Sequence, residues 1–328
     1  MSHVVTLVPG DWIGPEISEI VLSILEASGA QITWEIFHDP IDSSGVLDPK
    51  LSESARRTGA VLFNRVDARR HRGQLPPIVE LRKELNCYVQ TRYAHNLPGV
   101  PARFDNVDIA VVRELTEDVY SGLEHESSPG VYELIKITTA ESCERAARFA
   151  FQEATKWGRK RVTVVHKSNI MKKSDGLFLR SAQKVAEEFP EIACDEVIVD
   201  ALCMKMVKWP AQFDVLLCGN LFGDIAADVA AGLAGGITMG GGITYGEGAV
   251  LFENPHGKAP ALVRRGLANP LPMLIPAINL LHHLGEHDRA KAVTAAMKGA
   301  LADGCKTRDL GGTASSLQVR DAIVERLG

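Results

Sequence analysis

Short apolar runs alternate with longer amphipathic segments along most of this chain. The runs have the length and composition of strands, and they occupy residues 3–8, 60–63, 107–112, 161–166, 196–202 and 213–218. Helical periodicity between them, with Gly or Pro near several ends, predicts helices over residues 13–29, 139–158, 174–190 and 224–234. This alternation predicts an α/β fold.

The domain organisation follows from the chain length and from two hinge-like segments. A chain of 328 residues with 45% hydrophobic residues can bury a large core, as two domains or as one of barrel size. Residues 98–106 contain two prolines, and the glycine-dense residues 232–248 form a loop by composition. We therefore predict a large domain from residues 1–97 and 246–328, mostly helical at its C-terminal end, and a small domain from residues 98–245.

Charge and cysteine content narrow the functional classes. A net charge of -5 argues against a nucleic-acid or acidic-membrane partner, although a local basic patch stays open. The first apolar run is too short for a signal peptide, and no run of about 18 apolar residues occurs. The six cysteines form no CxxC pair and mostly lie in apolar or periodic runs. We predict free, buried thiols and a cytoplasmic location.

Residues 219–233, GNLFGDIAADVAAGL, carry two carboxylates directly after an apolar run. Asp224 and Asp228 are four residues apart, so a helix places both on one face. Two such oxygen ligands at the end of a buried strand could hold Mg²⁺ or Mn²⁺. A solvated helix face is the simpler alternative.

Seven motifs along the chain resemble those of the β-decarboxylating dehydrogenases in order and spacing. This family includes isocitrate, 3-isopropylmalate, homoisocitrate and tartrate or D-malate dehydrogenases. The motif sequences of this chain are most similar to those of the NAD-dependent isocitrate branch. The motifs are GDWIGPE, LRKELNCYVQTR, VRELTEDVYSGLEHE, HKSNIMKKSDGLF, NLFGDIAADVAAGLAGG, ENPHGKAPALVRRGLANP and TRDLGGTAS. The resemblance implies an isopropylmalate dehydrogenase-like, two-lobed α/β subunit with mixed sheets, in a homodimer. It also implies a non-Rossmann dinucleotide site in the large domain, and the absence of GxGxxG agrees.

The resemblance implies metal-dependent oxidative decarboxylation of a 3-substituted malate, with the active site shared between two subunits. Asp224 and Asp228 of one subunit and Asp200 of the other match the ligands of Mg²⁺ or Mn²⁺, which polarises the substrate hydroxyl and stabilises the enolate. Lys167 matches the base that takes the hydroxyl proton, and Tyr120 matches the acid that protonates the enolate carbon. Without the resemblance, the simpler interpretations are a helix cap for Asp200, a solvated lysine for Lys167 and a packing residue for Tyr120.

Arg82, Arg92 and Arg113 match the three arginines that bind the departing carboxylate. Planar guanidinium groups suit this task because they bind carboxylates bidentately. Helix salt bridges for Arg82 and a strand end for Arg92 are the alternatives.

The cofactor-binding residues implied by the resemblance lie in two of these motifs. They are Ile13 in GDWIGPE, His256, Gly257 and Ala259 in HGKAP, and Asn269 in LANP. NAD-preferring relatives carry Asp directly after HGxAP and NADP-preferring relatives carry Lys-Tyr, whereas this chain has Ala261-Leu262. The sequence TRDLGG has the form found in NAD-type relatives and therefore favours NAD. Arg264 and Arg265 could bind a 2′-phosphate, so NADP is the alternative.

The residues expected to contact the substituent of the malate, here called the substrate tail, depart from the family pattern. The Ser and Asn with which isocitrate enzymes contact the tail are replaced here by Pro76 and Ile78. Just upstream lies the basic cluster of Arg69, Arg70 and Arg72, which suits an anionic substituent such as a carboxylate or phosphonate. A solvated basic turn is one alternative, and an isopropylmalate-type apolar pocket around Ile78 is another.

Two departures from the family motifs raise a hypothesis of another class. Trp12 replaces a Gly of GDGIGPE, and Leu115 replaces the Asn of RENTEG. Both could reshape the site, as in a non-catalytic regulatory subunit of a heteromeric isocitrate dehydrogenase. The complete set of lysine, tyrosine, arginines and aspartates argues for a catalytic chain that turns over a small-molecule substrate.

Overall fold

The computed structural model describes residues 2–41, 46–67, 76–236 and 241–328. Its strands and helices are, in chain order, β1 His3–Val8, α1 Gly14–Ala27, β2 Ile32–Ile36, α2 Pro49–Thr58, β3 Ala60–Phe63, α3 Pro77–Glu84, β4 Val89–His95, β5 Asp108–Glu114, β6 Glu124–Ser128, β7 Val131–Leu134, α4 Ala140–Lys156, β8 Arg161–His166, α5 Ser174–Ala186, β9 Ala193–Ile198, α6 Val199–Lys208, β10 Val215–Cys218, α7 Asn220–Ala234, β11 Gly242–Tyr245, β12 Val250–Glu253, α8 Leu271–His283, α9 His287–Ala302 and α10 Ser316–Val324.

The chain divides into two compact units, and the strands of each unit run in mixed directions. The first unit comprises Met1–Asn86, Asn96–Arg103 and Gly235–Gly328, and the second comprises Cys87–His95 and Phe104–Ala234. The predicted boundaries differ from these units because β4 pairs antiparallel with β5 over its whole length and therefore groups with it. Likewise β11 pairs antiparallel with β12, in the first unit.

The first unit has the strand order β2-β1-β3-β12-β11. The first four strands run parallel, and β11 is antiparallel to β12. Every residue of β3 is buried, as expected for a parallel strand covered on both faces. Helix α2 packs on β1, and α8 packs on β12, α1 and α9.

The second unit has the strand order β4-β5-β10-β8-β9, with β4 antiparallel and the others parallel. Helix α4 packs against β5 and α5, while α7 packs against β4 and β5. Strands β6 and β7 form a separate two-stranded hairpin, and all their residues are exposed. The carboxyl ends of β5, β8 and β10 lead directly into the residues of the candidate site.

The α/β class is confirmed, and several predicted elements need correction. Residues 199–202 belong to α6 rather than to a strand, because Leu202 and Met206 bury one face of a helix that begins after Ile198. The glycine-dense segment contains the end of α7 and strand β11, so it is only partly loop. Strands β2, β4, β6, β7, β11 and β12 were not predicted.

The cysteines are free thiols with unequal exposure. Cys87, Cys143 and Cys218 are buried, and burial, followed by the charges of Glu117 and Glu114, raises the pKa of Cys143 to about 12. Cys194 is exposed, contrary to the expectation of buried thiols, because it lies on β9 at the edge of its sheet. The cytoplasmic location remains a prediction. Within the described ranges, no helix combines the length and apolar character needed to cross a membrane.

Candidate active site

Helix α7 presents Asp224 and Asp228 one turn apart, as predicted from their spacing. The helix follows β10, whose four residues are all buried. The two carboxylates are partly open to solvent, with 41% and 61% of their side chains exposed. Gly223 allows the close packing of this helix, since a Cβ there would lie 2.7 Å from Cγ of Arg113.

Two nearly buried arginines meet these carboxylates. Arg113 on β5 donates from Nη1 to Oδ1 of Asp224 over 2.5 Å and from Nε to Oδ1 of Asn220 over 3.0 Å. Arg92 lies in the middle of β4, and its Nη1 is 2.6 Å from Oδ1 of Asp228. Their side chains are only 7% and 11% exposed, so each arginine is held by its strand and directed toward α7. The structure thus brings together two predicted carboxylate-binding arginines and two predicted metal ligands.

Tyr120 joins the same network. It lies in a short 3-10 turn, Val119–Ser121, and its hydroxyl donates to Oδ2 of Asp224 over 2.6 Å. The guanidinium of Arg113 lies 5.0 Å from the centre of the tyrosine ring. Burial and the hydrogen bond to Asp224 raise the pKa of Tyr120, which the charge of Arg113 partly opposes. The phenol therefore stays protonated at neutral pH and can act as a proton donor.

Lys167 and Asp200 form a second pair in the same unit. Lys167 follows the buried end of β8, and its Nζ is ion-paired with a carboxylate oxygen of Asp200. The pKa of Asp200 is lowered by this hydrogen bond. Asp200 lies inside the first turn of α6, while Ile198 occupies the N-cap position, so Asp200 is not the helix cap.

The donor set on α7 suits a hard divalent cation. Asp224 and Asp228 supply carboxylate oxygens, the ligand type that Mg²⁺ and Mn²⁺ prefer. In the part of one chain that the structure describes, no group of three or more His, Cys, Asp or Glu side chains could hold a metal ion.

The other predicted substrate-binding residues belong to the first unit or lie outside the described residues. Arg82, on α3, donates from Nε to Oε1 of Glu253 on β12 over 3.1 Å, so its ion pair joins two elements rather than neighbouring turns of one helix. Ile78 is half-buried in the first turn of α3. Arg69, Arg70 and Arg72 lie outside the described residues.

The predicted cofactor residues all lie in the first unit, and His256 is the best defined of them. The imidazole is buried, its Nδ1 lies 2.6 Å from the carbonyl oxygen of Gly257, and its Nε2 has no hydrogen-bond partner among the described residues. Burial lowers the pKa of His256, so the ring is neutral at pH 7. Ala259 has a φ of 42°, in the left-handed region. An unpartnered, buried ring nitrogen suits a site that a ligand completes.

Asn64, which the sequence analysis did not identify, connects two of these motifs. Its side-chain amide donates to the carbonyl oxygen of Gly14 over 3.2 Å, next to Ile13 at the start of α1. Its Oδ1 accepts a hydrogen bond from Asn254, and Oδ1 of Asn254 accepts from the amide of His256. The sequence feature that could have identified Asn64 is its position as a polar residue directly after the apolar strand β3.

Asn269 is linked to the TRDLGG motif by hydrogen bonds through the side chain of Asp309. Its Nδ2 donates to Oδ2 of Asp309 over 2.8 Å, while the hydroxyl of Thr307 donates to Oδ1 of Asp309 over 2.5 Å. At Gly312, a Cβ would lie 1.9 Å from the carbonyl oxygen of Lys306, so only glycine fits. These contacts fix the loop carrying Asn269 against the end of the motif.

Comparison with known proteins gives matches along nearly the whole chain. The isocitrate/isopropylmalate dehydrogenase family model matches residues 4–325. The chain is 41% identical over 329 residues to the mitochondrial NAD isocitrate dehydrogenase catalytic subunit 5 of Arabidopsis thaliana, covering 98% of this chain and 88% of that protein. It is 40% identical over 328 residues to the mitochondrial NAD isocitrate dehydrogenase regulatory subunit 1 of the same plant, covering 98% and 89%.

A solved structure extends this similarity to the fold. The crystal structure of isocitrate dehydrogenase from Methylococcus capsulatus matches with a TM-score of 0.92 and 37% identity, covering 99% of both chains. The predicted isopropylmalate dehydrogenase-like fold class is thereby confirmed.

Proposed function

Because this chain belongs to the isocitrate/isopropylmalate dehydrogenase family, whose members are NAD(P)-dependent oxidoreductases, we propose that it catalyses oxidative decarboxylation of a 3-substituted malate with a divalent metal. The observation that carries this proposal is the network on α7. There Asp224 contacts both Arg113 and Tyr120, and Asp228 contacts Arg92. The two proposed metal ligands are therefore each within hydrogen-bond reach of a proposed carboxylate-binding arginine, and Asp224 is also within reach of the proposed proton donor.

The residues of this chain divide the chemistry among them. Lys167, in its neutral amine form, accepts the proton of the substrate hydroxyl, and Tyr120, whose raised pKa keeps it protonated, donates a proton to the carbon left by CO₂. Arg92 and Arg113 orient the departing carboxylate. Asp224 and Asp228 would hold Mg²⁺ or Mn²⁺, which would supply Lewis acidity at the substrate hydroxyl, and bound NAD would serve as the hydride acceptor.

We propose that the active form is a homodimer with a shared site. Lys167 and Asp200 form one group of candidate residues, and the α7 network forms another. In a shared site, the Lys167–Asp200 pair of one subunit would face the α7 network of its partner. Exposed apolar side chains that suit such an interface lie on and beside the β6–β7 hairpin and α6, namely Leu123, Val131, Tyr132, Leu134, Met204 and Val207.

The proposed substrate carries an anionic substituent, and the proposed cofactor is NAD. The basic residues Arg69, Arg70 and Arg72 support the anionic tail from the sequence, while Ile78 supports the apolar, isopropylmalate-type alternative. The family description names both substrate types. Relatives whose names include NAD support this cofactor, with NADP as the alternative.

A regulatory subunit is the alternative of another class. Catalytic and regulatory relatives match this chain at 41% and 40% identity, so identity does not separate the two classes. The full set of candidate groups favours catalysis, since a chain without turnover has no chemical need for a base, an acid and a metal site together.

A turnover panel with the purified protein alone tests the proposal. With NAD and Mg²⁺, absorbance at 340 nm should rise with isocitrate or phosphonomethylmalate, and chelation of the metal should stop the rise. Fast oxidation of isopropylmalate, with none of the two anionic compounds, would refute the anionic tail. No turnover of any malate by the purified chain, with activity only after addition of a second, different subunit, would support the regulatory alternative.

A further inference from the structure

Lys136 is a largely buried cation held between two buried carboxylates in the second unit. Its Nζ lies 2.9 Å from Oδ1 of Asp118 and 3.1 Å from Oδ1 of Asp175. The lysine side chain is 18% exposed and each carboxylate 5%. The ring of Phe222, on α7, lies 5.5 Å from Nζ. None of these three charged residues belongs to the candidate site described above.

Asp175 connects this lysine to the proposed base. The carboxylate is in the first turn of α5, and its second oxygen, Oδ2, accepts the backbone amide of Lys167 over 2.6 Å. The backbone at Lys167 is therefore fixed by a buried charge, while its side chain is directed to Asp200.

Asp118 connects the same lysine to the proposed acid and to the metal-binding helix. Its Oδ1 accepts the backbone amide of Val119, at the start of the turn that carries Tyr120, over 2.8 Å. Its Oδ2 accepts the backbone amide of Leu221, in the first turn of α7, over 3.0 Å. Asp118 has a φ of 71°, a conformation that non-glycine residues rarely adopt and that surrounding contacts must maintain.

The space beside Lys136 is too small for a ligand. The adjoining cavity has a volume of about 20 Å³, room for roughly one water molecule. The lysine therefore acts as a fixed charge within the fold. Without it, two buried carboxylates would face each other uncompensated, and at least one would have to move or take up a proton.

We propose that Lys136 is a positioning residue that holds the backbone of the base, the acid and the metal-binding helix in one arrangement. The inference rests on the proposed function, because it takes Lys167, Tyr120 and Asp224 as the reacting and metal-binding groups. It adds a residue that touches none of them and acts through the backbone amides of Lys167, Val119 and Leu221.

Kinetics of the full-length protein provide the first test. Lys136→Met should lower kcat by about 10²-fold, the effect of displacing catalytic groups by about 1 Å, while KM for the malate changes less. Lys136→Arg should recover most of the loss, because it restores the charge. Lys184→Met is the matched control, since Lys184 pairs with Glu144 on the surface and should leave kcat unchanged.

Amide hydrogen exchange provides a test that does not depend on turnover. In Lys136→Met, the amides of Val119, Lys167 and Leu221, which lie in three separate segments, should exchange faster than in the parent protein, while α8 in the first unit should not change. If Lys136→Met fails to fold, Asp175→Asn replaces it, because the amide oxygen still accepts a hydrogen bond but the charge is lost.

The outcomes separate the two proposals. Unchanged kcat in Lys136→Met overturns the inference, even if the variant melts earlier, because a merely structural residue would lower only stability. Unchanged exchange at the three amides also overturns it. If the parent protein turns over no malate, the proposed function fails, whereas the exchange data still decide whether Lys136 organises these segments.

Discussion

At the scale of single residues, the site pairs nearly buried cations with partly exposed anions. Arg92 and Arg113 are fixed by their strands, so their charges are in place before any ligand binds, whereas Asp224 and Asp228 face solvent. Such preorganisation reduces the cost of orienting groups at the moment of reaction. The arrangement explains why two arginines occupy otherwise buried positions.

Lys167→Ala should lower kcat by about 10²- to 10⁴-fold, the usual contribution of a general base. Binding of metal and substrate, followed by calorimetry, should change little, because the proposed metal ligands Asp224 and Asp228 are retained. Lys172→Ala is the control, since Lys172 is an exposed lysine five residues away. Substantial turnover in Lys167→Ala would remove this lysine from the role of base.

His256 should make stability depend on pH. Its folded-state pKa is lowered from 6.5, chiefly by burial, so below about pH 6.5 the unfolded chain binds a proton that the folded chain does not. Stability should therefore decrease as pH falls through this value. Melting temperatures of the parent protein and of His256→Asn, measured from pH 7.5 to 5.5, should show a shallower decline in the variant, while His38→Asn, at an exposed site, should follow the parent.

At the scale of elements, α7 combines packing contacts with proposed site residues on one helix. One side contacts β4 and β5, and another presents the two aspartates. Its two interior glycines meet different surroundings. A Cβ at Gly223 would lie within 2.8 Å of the Arg113 side chain, whereas a Cβ at Gly232 meets no atom within 4 Å.

Gly223→Ala should displace Arg113 from Asp224 and lower kcat/KM for the malate. Gly232→Ala, on the same helix, should leave kcat/KM unchanged and stabilise the fold by about 0.5–1 kcal/mol, because alanine favours the helix over glycine. Steady-state kinetics and denaturant unfolding of both variants measure these effects. Equal kinetics in the two variants would contradict the proposed contact between α7 and Arg113.

At the scale of the whole molecule, the proposed homodimer would build each site from groups of two subunits. Lys167 and Asp200, which pair with each other, would belong to one subunit, and the α7 residues would belong to its partner. The apolar side chains exposed on the β6–β7 hairpin and α6 would be covered in such a dimer.

Subunit mixing tests this arrangement. Lys167→Ala and Asp224→Asn should each be inactive alone. After unfolding and refolding together, a mixed dimer with shared sites should regain up to about half of the parent activity, because one of its two sites receives no mutation. No recovery, with mixed dimers demonstrated by mass spectrometry, would place the complete site within one subunit.

The sequence by itself determined the features that depend on local periodicity and on extended motifs. Helical spacing placed Asp224 and Asp228 on one face, and apolar runs predicted β1, β3 and β8 at their observed bounds. Seven motifs in order identified the family, which the family model confirms over residues 4–325. Such signals lie within a few residues of one another, so they need no knowledge of the fold.

Only the tertiary structure decided which distant residues meet. Arg82 pairs with Glu253, Asn64 with Asn254, and Lys136 with both Asp118 and Asp175, across separations of up to 190 residues. The end of β9 and the start of α6 were also decided by packing, because Leu202 and Met206 are buried on one helical face. Periodicity carries no information about partners on other elements. The positions of buried charges therefore became visible only when strands and helices were packed together.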